Sequence, residues 1–274
     1  MAVNRKRLDA ELVRRKIARS REHAVDMIRE QRVFVAGILA LKPATQVDPD
    51  ISIRVVGSQL DTWASRGAHK LLGALEAFEP LGLDLKGKKV LDAGASTGGF
   101  TDVVLRRGAA EVVACDVGYG QLVWRLQNDA RVRVLDRTNI RHLTPEMCGG
   151  LCEAMVGDLS FISLTLTLPP IIECLTMGAD LLPMVKPQFE VGKERLGNGG
   201  VVRSRELRAE VTRDIALFAQ SVGCSVNAVV ASPLPGPSGN VEYFLWLRKD
   251  GAAHLRSEDE ITTMVQQAVL EGPQ

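Results

Sequence analysis

The stretch Val90-Leu91-Asp92-Ala93-Gly94-Ala95-Ser96-Thr97-Gly98-Gly99-Phe100 decides the fold of most of this chain. Its apolar start is typical of a buried β-strand, and its glycine-rich middle leads into a helix-like segment. Glycines at such a turn permit positive φ angles and let the backbone approach a ligand closely. The stretch therefore predicts a strand, a ligand-binding turn and a helix, as at the first strand of a doubly wound α/β domain.

Short apolar runs alternate with helix-length segments on both sides of this turn. Ser65 is expected to cap a helix that ends at Phe78, before the first strand. Alternation of this kind indicates a parallel sheet covered on both faces, while a Pro/Gly-rich loop between the last two runs predicts an antiparallel hairpin at one edge. We predict an α/β, Rossmann-like domain with a seven-stranded, mostly parallel sheet. Its strands fall at residues 90–91, 112–114, 132–135, 154–156, 181–185, 228–231 and 243–247.

A smaller unit is predicted in front of this domain, because 274 residues suit one small and one medium domain. Apolar positions recur at helical spacing up to Arg32, with a break where Ser20 can cap a second helix, and two short strands follow. We expect a small α+β domain at residues 1–57, a linker at 58–64 with Trp63 packed at the domain junction, and the α/β domain at 65–274.

Composition excludes several protein classes. Hydrophobic residues make up 46% of the chain and charged residues 24%, which is ordinary for a globular protein. No apolar run approaches the roughly 20 residues that span a bilayer, and no signal-peptide pattern is present, so we expect a cytoplasmic protein without stable membrane association. The cysteines lack a CxxC pair or metal-ligand spacing, and we interpret them as reduced, packed thiols without metal. They are Cys115, Cys148, Cys152, Cys174 and Cys224.

Basic residues concentrate near the N-terminus, although the net charge is only +1. Clusters occur at residues 5–7 and 14–16 and at Arg19 and Arg21, with few acids among them. Such a distribution indicates either a nucleic-acid surface or a solvated helical face.

Glycine spacing discriminates between cofactors. Dinucleotide folds use GxGxxG to seat a pyrophosphate at a helix N-terminus, whereas this turn reads GxxxGG after Asp92. S-adenosylmethionine carries no phosphate and has a zwitterionic end that suits an acidic strand end. We therefore predict that this cofactor, rather than a nicotinamide, binds here; a purely structural turn is the alternative. The predicted contacts are Asp92, Gly94, Ala95, Ser96, Thr97, Gly98, Gly99 and Phe100.

Two further acids follow the second and third predicted strands. Ligands of doubly wound sheets bind at the carboxyl ends of the strands, where a carboxylate can accept both ribose hydroxyls. We assign Asp116 to the ribose and Asp136 to the adenine edge of the cofactor. The alternative is that each aspartate only stabilises a turn.

The sequences at the ends of the fourth and fifth strands indicate which type of group is methylated. Neither an Asn/Asp-Pro-Pro-Tyr motif for amines nor a nucleophilic cysteine for cytosine C5 chemistry is present. The strands end instead in the sequences 157–161, Gly-Asp-Leu-Ser-Phe, and 185–190, Val-Lys-Pro-Gln-Phe-Glu. A lysine facing a carboxylate at the mouth of the sheet suits a hydroxyl substrate.

At these positions the chain resembles a known family. Residues 65–71 with Lys70, together with Asp158, Lys186 and Glu242, look like the Lys-Asp-Lys-Glu tetrad of FtsJ-type ribose 2′-O-methyltransferases. The segment from Arg7 to Pro43 is similar to an S4 RNA-binding domain, although Gln31 stands where a turn glycine is common and Ala36 where asparagine usually precedes glycine. With residues 186–190 and 236–242, almost the whole chain resembles the TlyA family.

This resemblance implies 2′-O-methylation of cytidine in ribosomal RNA, in some members on both subunits, and a historical haemolysin label. It implies catalytic roles for the four tetrad residues, with Asp158 also near the cofactor. Neutral Lys186 would take the proton of the ribose hydroxyl, with Lys70 as the neighbouring cation, or charged Lys186 would stabilise the alkoxide. Both roles stay open at this point.

The implied partner is ribosomal RNA or a ribosomal subunit. Phosphate contacts are expected from the S4-like domain, and Phe161 either stacks on the target base or lies in the core. The alternatives are a non-catalytic ribosome-assembly factor and a membrane-lytic protein. The expected RNA-binding residues are Arg7, Arg14, Arg19, Ser20, Arg21, Lys42, Arg66 and Phe161.

Overall fold

The computed structural model describes residues 5–56, 63–192, 194–197 and 199–273. The chain divides into two compact units, Met1–Thr62 and Trp63–Gln274. Gly57, the predicted end of the first domain, and most of the predicted linker 58–64 lie outside the described residues. Trp63 and Ala64 are described, and both contact the core of the larger unit.

The smaller unit packs two helices against short strands. Ser20 caps the second helix as predicted, since its Oγ accepts a hydrogen bond from His23 N at 3.1 Å. Leu8, Leu12 and Ile28 form the centre of a small hydrophobic core. The elements are β1 (Lys6–Arg7), α1 (Leu8–Arg14), α2 (Arg21–Arg29), β2 (Val33–Val35), β3 (Ile38–Leu39), β4 (Gln46–Val47) and β5 (Ile53–Val55), with β1 paired to β4 and the order β3-β2-β5 in the other sheet.

The two positions that depart from the usual S4 pattern both lie at turns. Gln31 has φ +57° and Ala36 has φ +48°, both in the left-handed region. Gln31 N donates to Ile28 O at 3.0 Å after α2, and Ala36 with Gly37 turns β2 into β3. Each non-glycine residue in this conformation costs about 1 kcal/mol, so the surrounding contacts must hold both turns in place.

The larger unit is a seven-stranded sheet with helices on both faces, in the order β11-β12-β10-β9-β6-β7-β8. β12 runs antiparallel to both of its neighbours, β10 and the edge strand β11, and it forms the predicted hairpin with β11. The fold class is therefore confirmed. Its strands are β6 (Lys89–Ala93), β7 (Glu111–Cys115), β8 (Val132–Leu135), β9 (Cys152–Gly157), β10 (Leu175–Val185), β11 (Cys224–Ala231) and β12 (Tyr243–Lys249).

Apolar clusters cover both faces of this sheet. The cluster on one face includes Leu71, Val103 and the strand residue Val112. The cluster on the other face includes Leu168, Ile215 and residues of the strands β9 and β12. The helices are α3 (Ala68–Phe78), α4 (Gly99–Arg106), α5 (Trp124–Gln127), α6 (Leu164–Glu173), α7 (Pro187–Glu190), α8 (Arg205–Ser221) and α9 (Glu258–Glu271). The five cysteines are buried and free.

The start of α3 differs from the prediction. Ser65 does not cap this helix, which begins at Ala68 and has no side-chain cap. Residues 65–67 form a tighter turn instead, in which Ala68 N donates to Ser65 O at 3.2 Å and Lys70 N donates to Gly67 O at 3.0 Å. A cap motif read from sequence cannot distinguish such a turn from the first turn of the helix.

Candidate active site

The predicted tetrad converges at one edge of the large sheet. Asp158 directly follows β9 and Lys186 directly follows β10, which run parallel to each other, so both lie at carboxyl ends. Glu242 directly precedes the antiparallel β12, whose Tyr243 pairs with Val185, and therefore lies at the same edge. Lys70 reaches this edge from α3. The topology thus collects four residues from four separate parts of the chain.

Lys70 and Glu242 form the buried end of the tetrad. Lys70 Nζ lies 2.5 Å from Glu242 Oε2 and 3.8 Å from Asp158 Oδ2. Lys70 is 6% exposed and Glu242 1% exposed. Gln188 adds a longer hydrogen bond of 3.4 Å from its Nε2 to Glu242 Oε1. A buried carboxylate with two such donors is held in one orientation.

Lys186 forms the open end of the tetrad. Its Nζ lies 2.5 Å from Asp158 Oδ1 and donates a 2.6 Å hydrogen bond to Ser160 Oγ. Lys186 is buried, whereas Asp158 is partly exposed and Ser160 is exposed. Asp158 therefore lies between two lysines, one on each carboxylate oxygen. Two cations and two anions alternate along the row, so the cluster carries no net charge in its fully ionised form.

The glycine-rich turn lies beside this row. Gly94 has φ +87°, and a Cβ placed there would lie 2.9 Å from the backbone oxygen of Asp158. Gly98 has φ +97°, and a Cβ there would approach Leu122 to 2.8 Å. Both glycines are required by conformation and by space. Gly94 lets the turn pack closely against the loop that carries Asp158, which brings the predicted cofactor loop next to the tetrad.

Asp116 and Asp136 organise the neighbouring loops. Asp116 accepts hydrogen bonds from Ser96 N at 2.9 Å and from Gly118 N at 2.7 Å. Asp136 accepts one from Gly120 N at 2.9 Å. Both carboxylates are partly exposed, and each oxygen has a second lone pair for a ligand hydroxyl or amine. They lie where the sequence predicts ribose and adenine contacts, and those assignments stay predictions.

Asp92 lies beneath the turn rather than in the open cleft. It is fully buried, Thr101 Oγ1 donates to its Oδ2 at 2.6 Å, and its Oδ1 has no partner among the described residues. Burial raises the pKa of Asp92 to about 7. Phe100 also lies in the core, 5.9 Å from the ring of Phe244. Both side chains are buried, and their predicted contacts with the cofactor stay predictions.

The remaining turn residues differ in exposure. Ser96 is exposed with φ +47°, and Thr97 is partly exposed, so both present atoms to the cleft. Ala95 and Gly99 are buried; a Cβ at Gly99 would overlap Ser65 Oγ. Ser96 and Thr97 thus carry the accessible side chains of the turn, and the predicted cofactor contacts of all its residues stay predictions.

Phe161 lies at the rim of the site. It is 90% exposed, which excludes the alternative that it belongs to the core. Its backbone is left-handed with φ +63°, and its ring lies 4.9 Å from that of Phe189. Strained backbone of this kind is concentrated at functional sites. Arg66 is also exposed, in the turn before α3.

The predicted RNA-binding residues of the smaller unit are all exposed. Arg7 and Arg21 converge on the buried Asp9, at 2.8 and 3.1 Å, while Arg14 contacts Glu11 at 2.6 Å. These arginines lower the pKa of Asp9 and of Glu11 to about 2. The two acids therefore stay ionised and orient the guanidinium groups. Arg19 and Lys42 are exposed on the same unit, and Ser20 Oγ serves as the cap of α2.

Sequence reasoning missed three contributors to the site. Ser160 and Gln188 lie within the stretches 157–161 and 185–190 at the ends of the fourth and fifth strands. A serine or a glutamine in these stretches indicates no role in the site until its contacts are known. Thr101 is the third, because its bond to Asp92 is visible only in three dimensions. Among the described residues no group of histidine, cysteine and acidic side chains is arranged to hold a metal ion.

Comparisons with known proteins agree with this geometry. Residues 63–249 match the FtsJ-like methyltransferase family, and residues 6–50 match the S4 domain. A Mycobacterium tuberculosis protein named 16S/23S rRNA (cytidine-2′-O)-methyltransferase TlyA is 54% identical, covering 98% of this chain and 99% of that protein. Hemolysin A of Brachyspira hyodysenteriae is 36% identical, covering 82% and 92%.

A solved structure from Streptococcus thermophilus, whose description carries the name hemolysin, superposes with a TM-score of 0.76 at 36% identity and covers 98% of each chain. In the described part of the chain, no helix combines the length and apolar character needed to cross a membrane. On these matches the chain belongs to the TlyA family of FtsJ-like methyltransferases, with an S4 domain preceding the methyltransferase domain.

Proposed function

We propose that this protein methylates the 2′-hydroxyl of a cytidine in ribosomal RNA, with S-adenosylmethionine as the methyl donor. The observation that carries the proposal is the row Glu242, Lys70, Asp158 and Lys186 at the carboxyl edge of the sheet. The names of the relatives, one of them a 16S/23S rRNA (cytidine-2′-O)-methyltransferase, support the same reaction and substrate. We also propose that residues 58–64 are the linker between domains at 1–57 and 65–274.

The residues around the glycine-rich turn fit the proposed cofactor. Ser96 and Thr97 face the cleft, and the partly exposed carboxylate of Asp116 is held by two backbone amides with lone pairs left over. Asp136 would lie at the adenine edge. The bound cofactor would supply a methyl group activated by its sulfonium. No phosphate-binding arrangement of the GxGxxG type competes at this turn.

We assign activation of the ribose 2′-hydroxyl to Lys186. A 2′-hydroxyl is a weak acid, so its oxygen becomes an effective nucleophile only when it is positioned and its proton is accepted or its developing charge is stabilised. Lys186 Nζ lies at the open end of the tetrad and performs one of these tasks. Asp158 holds Lys186 from one side, and Lys70 with Glu242 fixes Asp158 from the other.

The S4 domain is the proposed anchor for RNA. Its exposed arginines Arg7, Arg14 and Arg21 are oriented by buried acids and suit phosphate contacts. Such contacts supply affinity without choosing a nucleotide. Selection of the nucleotide is therefore assigned to the mouth of the methyltransferase domain, where Phe161 is exposed.

The experiment that tests the proposal is transfer of labelled methyl from S-adenosylmethionine to unmethylated 30S and 50S subunits and to naked ribosomal RNA. Nuclease digestion followed by mass spectrometry then identifies the modified nucleotide. We expect a 2′-O-methylcytidine. Methylation of a base would refute the proposed reaction. Cofactor binding without any transfer would favour a ribosome-assembly factor instead.

A further inference from the structure

Ser160 contacts the reacting end of the tetrad, although it is not one of its four members. Its hydroxyl oxygen lies 2.6 Å from Lys186 Nζ. Ser160 is exposed, whereas Lys186 is 6% exposed, so the hydroxyl lies at the boundary between the buried lysine and the cleft. Within the described residues, Asp158 and Ser160 are the two oxygen-bearing partners of this nitrogen.

The geometry of the lysine nitrogen turns the serine contact into an orientation. A tetrahedral nitrogen bonded to Cε has three remaining positions. Ser160 Oγ accepts an N–H hydrogen bond at one of them, at 2.6 Å. Asp158 Oδ1 lies 2.5 Å from the same nitrogen as an ion-pair contact, but this oxygen has no partner in hydrogen-bond geometry among the described residues. The serine contact is therefore the one that fixes the rotation of the amino group about the Cε–Nζ bond, and it sets the directions in which the two other positions meet Asp158 and the ribose oxygen.

The loop that carries Ser160 is fixed at both ends. Asp158 N donates to Ala93 O at 3.0 Å where the loop leaves the sheet. Ser163 Oγ donates to Glu190 Oε2 at 2.6 Å where the loop enters α6, and Ser163 also caps that helix. Phe161 between them holds a left-handed backbone. A short loop anchored in this way keeps the Ser160 hydroxyl in place against Lys186.

We propose that Ser160 is a positioning residue, which fixes the rotation of the Lys186 amino group so that one of its remaining positions faces the ribose 2′-oxygen. The inference rests on the proposed function of the site. Without the serine hydroxyl, Lys186 keeps its contact with Asp158 but rotates about it, and the fraction of productive orientations falls. A hydrogen bond to a group that is charged in one of its states predicts a decrease in kcat of about 10-fold to 100-fold.

The test compares Ser160→Ala, Ser160→Thr and Ser163→Ala in the full-length protein with S-adenosylmethionine and its RNA substrate. We expect Ser160→Ala to lower kcat while leaving KM for RNA and Kd for the cofactor within about twofold. Ser160→Thr restores most of kcat because it returns the hydroxyl. Ser163→Ala loosens one anchor of the same loop but keeps the Ser160 hydroxyl, so it lowers the unfolding temperature and lowers kcat less than Ser160→Ala does.

Three results would overturn the inference: wild-type kcat in Ser160→Ala, equal losses in Ser160→Ala and Ser160→Thr, or an equal fall in kcat with Ser163→Ala. The last result would show that the loop as a whole matters, not the hydroxyl. The wild-type protein in the same assay separates this inference from the proposed function. If the wild type forms no 2′-O-methylribose, the proposed function fails; if it does, the variants decide the role of Ser160.

Discussion

Lys70 and Glu242 lie 2.5 Å apart although 172 residues separate them in the chain. Lys70 comes from the first helix of the methyltransferase domain, and Glu242 directly precedes strand β12. Both are buried, so the pair forms only when the β11–β12 hairpin is in place. The catalytic row therefore depends on the completed domain.

Glu242→Leu is expected to lower the free energy of unfolding by about 3 kcal/mol, because it leaves Lys70 as a buried cation without its nearest carboxylate. Urea unfolding of the cofactor-free protein measures this loss. The control is the double variant Lys70→Met, Glu242→Leu, which removes both charges and should recover most of the stability while staying inactive. A single variant as stable as wild type would contradict the expected role of the pair.

Lys186→Ala is expected to abolish methyl transfer while leaving cofactor affinity nearly unchanged. The lysine Nζ contacts Asp158 and Ser160 and none of the backbone atoms of the glycine-rich turn. Calorimetric titration with S-adenosylmethionine and the methyl-transfer assay measure the two effects separately. Substantial remaining turnover would remove Lys186 from the centre of the mechanism.

Asp92 predicts a pH dependence of stability. Its pKa of about 7 in the folded protein lies above the usual value of about 4, because burial disfavours the ionised form. The neutral acid is therefore the form that the fold favours. The contribution of protonated Asp92 to the free energy of unfolding is fully present below about pH 4. It is lost as pH rises towards 7, by an amount on the order of 3–4 kcal/mol.

Asp92→Asn isolates this effect from the other carboxylates. The amide does not ionise, so the difference in unfolding free energy between wild type and variant should change between pH 5 and 8, with the variant gaining relative stability as pH rises. Acids such as Asp9 and Glu11, with pKa values of about 2, titrate far below this range in the folded state. A difference that stays constant over this range would mean that Asp92 remains ionised in the folded protein.

The sequence was sufficient for the fold because the signals were local. Alternating strands and helices, the turn at residues 94–99 and the cap at Ser20 each rest on neighbours in the chain. The predicted start of α3 was wrong by two residues, since a tight turn at Ser65 has the same sequence features as a cap followed by a helix. The left-handed backbone at Phe161 carries no sequence signal, because glycine is the residue expected there.

The site was predictable only as a set of residue types. Resemblance named the four tetrad residues, and the structure brings all four together, yet the order in which they contact each other depends on packing. Asp92 was predicted at the cofactor; its side chain is buried, with one oxygen that has no partner among the described residues, and the assignment stays a prediction. The contacts of Ser160 depend on a loop conformation that sequence spacing does not specify.

Arg21→Ala is expected to weaken RNA binding and to make its salt dependence shallower by about one unit in the slope of log K against log salt, if the guanidinium contacts one phosphate. Asp9 holds this arginine in an exposed position at 3.1 Å. Filter binding at several salt concentrations measures the slope. Arg213→Ala is the matched control, since Arg213 also pairs with an aspartate on a helix but lies on α8 of the other domain. Equal changes in both variants would argue against the S4 domain as the anchor.

Phe161→Ala is expected to impair methylation without affecting the fold. The side chain is 90% exposed, so its removal should change the free energy of unfolding by less than about 0.5 kcal/mol. Stacking of a base on an aromatic ring contributes about 1–3 kcal/mol, which corresponds to a decrease in kcat/KM for RNA of roughly 5-fold to 150-fold. Cofactor affinity should remain that of the wild type.

Two variants make this test specific to the aromatic ring. Phe161→Trp keeps a stacking surface and should retain most of the activity, whereas Phe161→Leu keeps an apolar side chain without one and should behave like Phe161→Ala. The ring centroid of Phe189 lies 4.9 Å from that of Phe161, so a second aromatic ring adjoins the proposed stacking position. If the leucine variant is as active as the tryptophan variant, Phe161 contributes apolar contact area rather than stacking. The left-handed backbone at Phe161 would then be explained by the conformation that the loop needs to place Ser160.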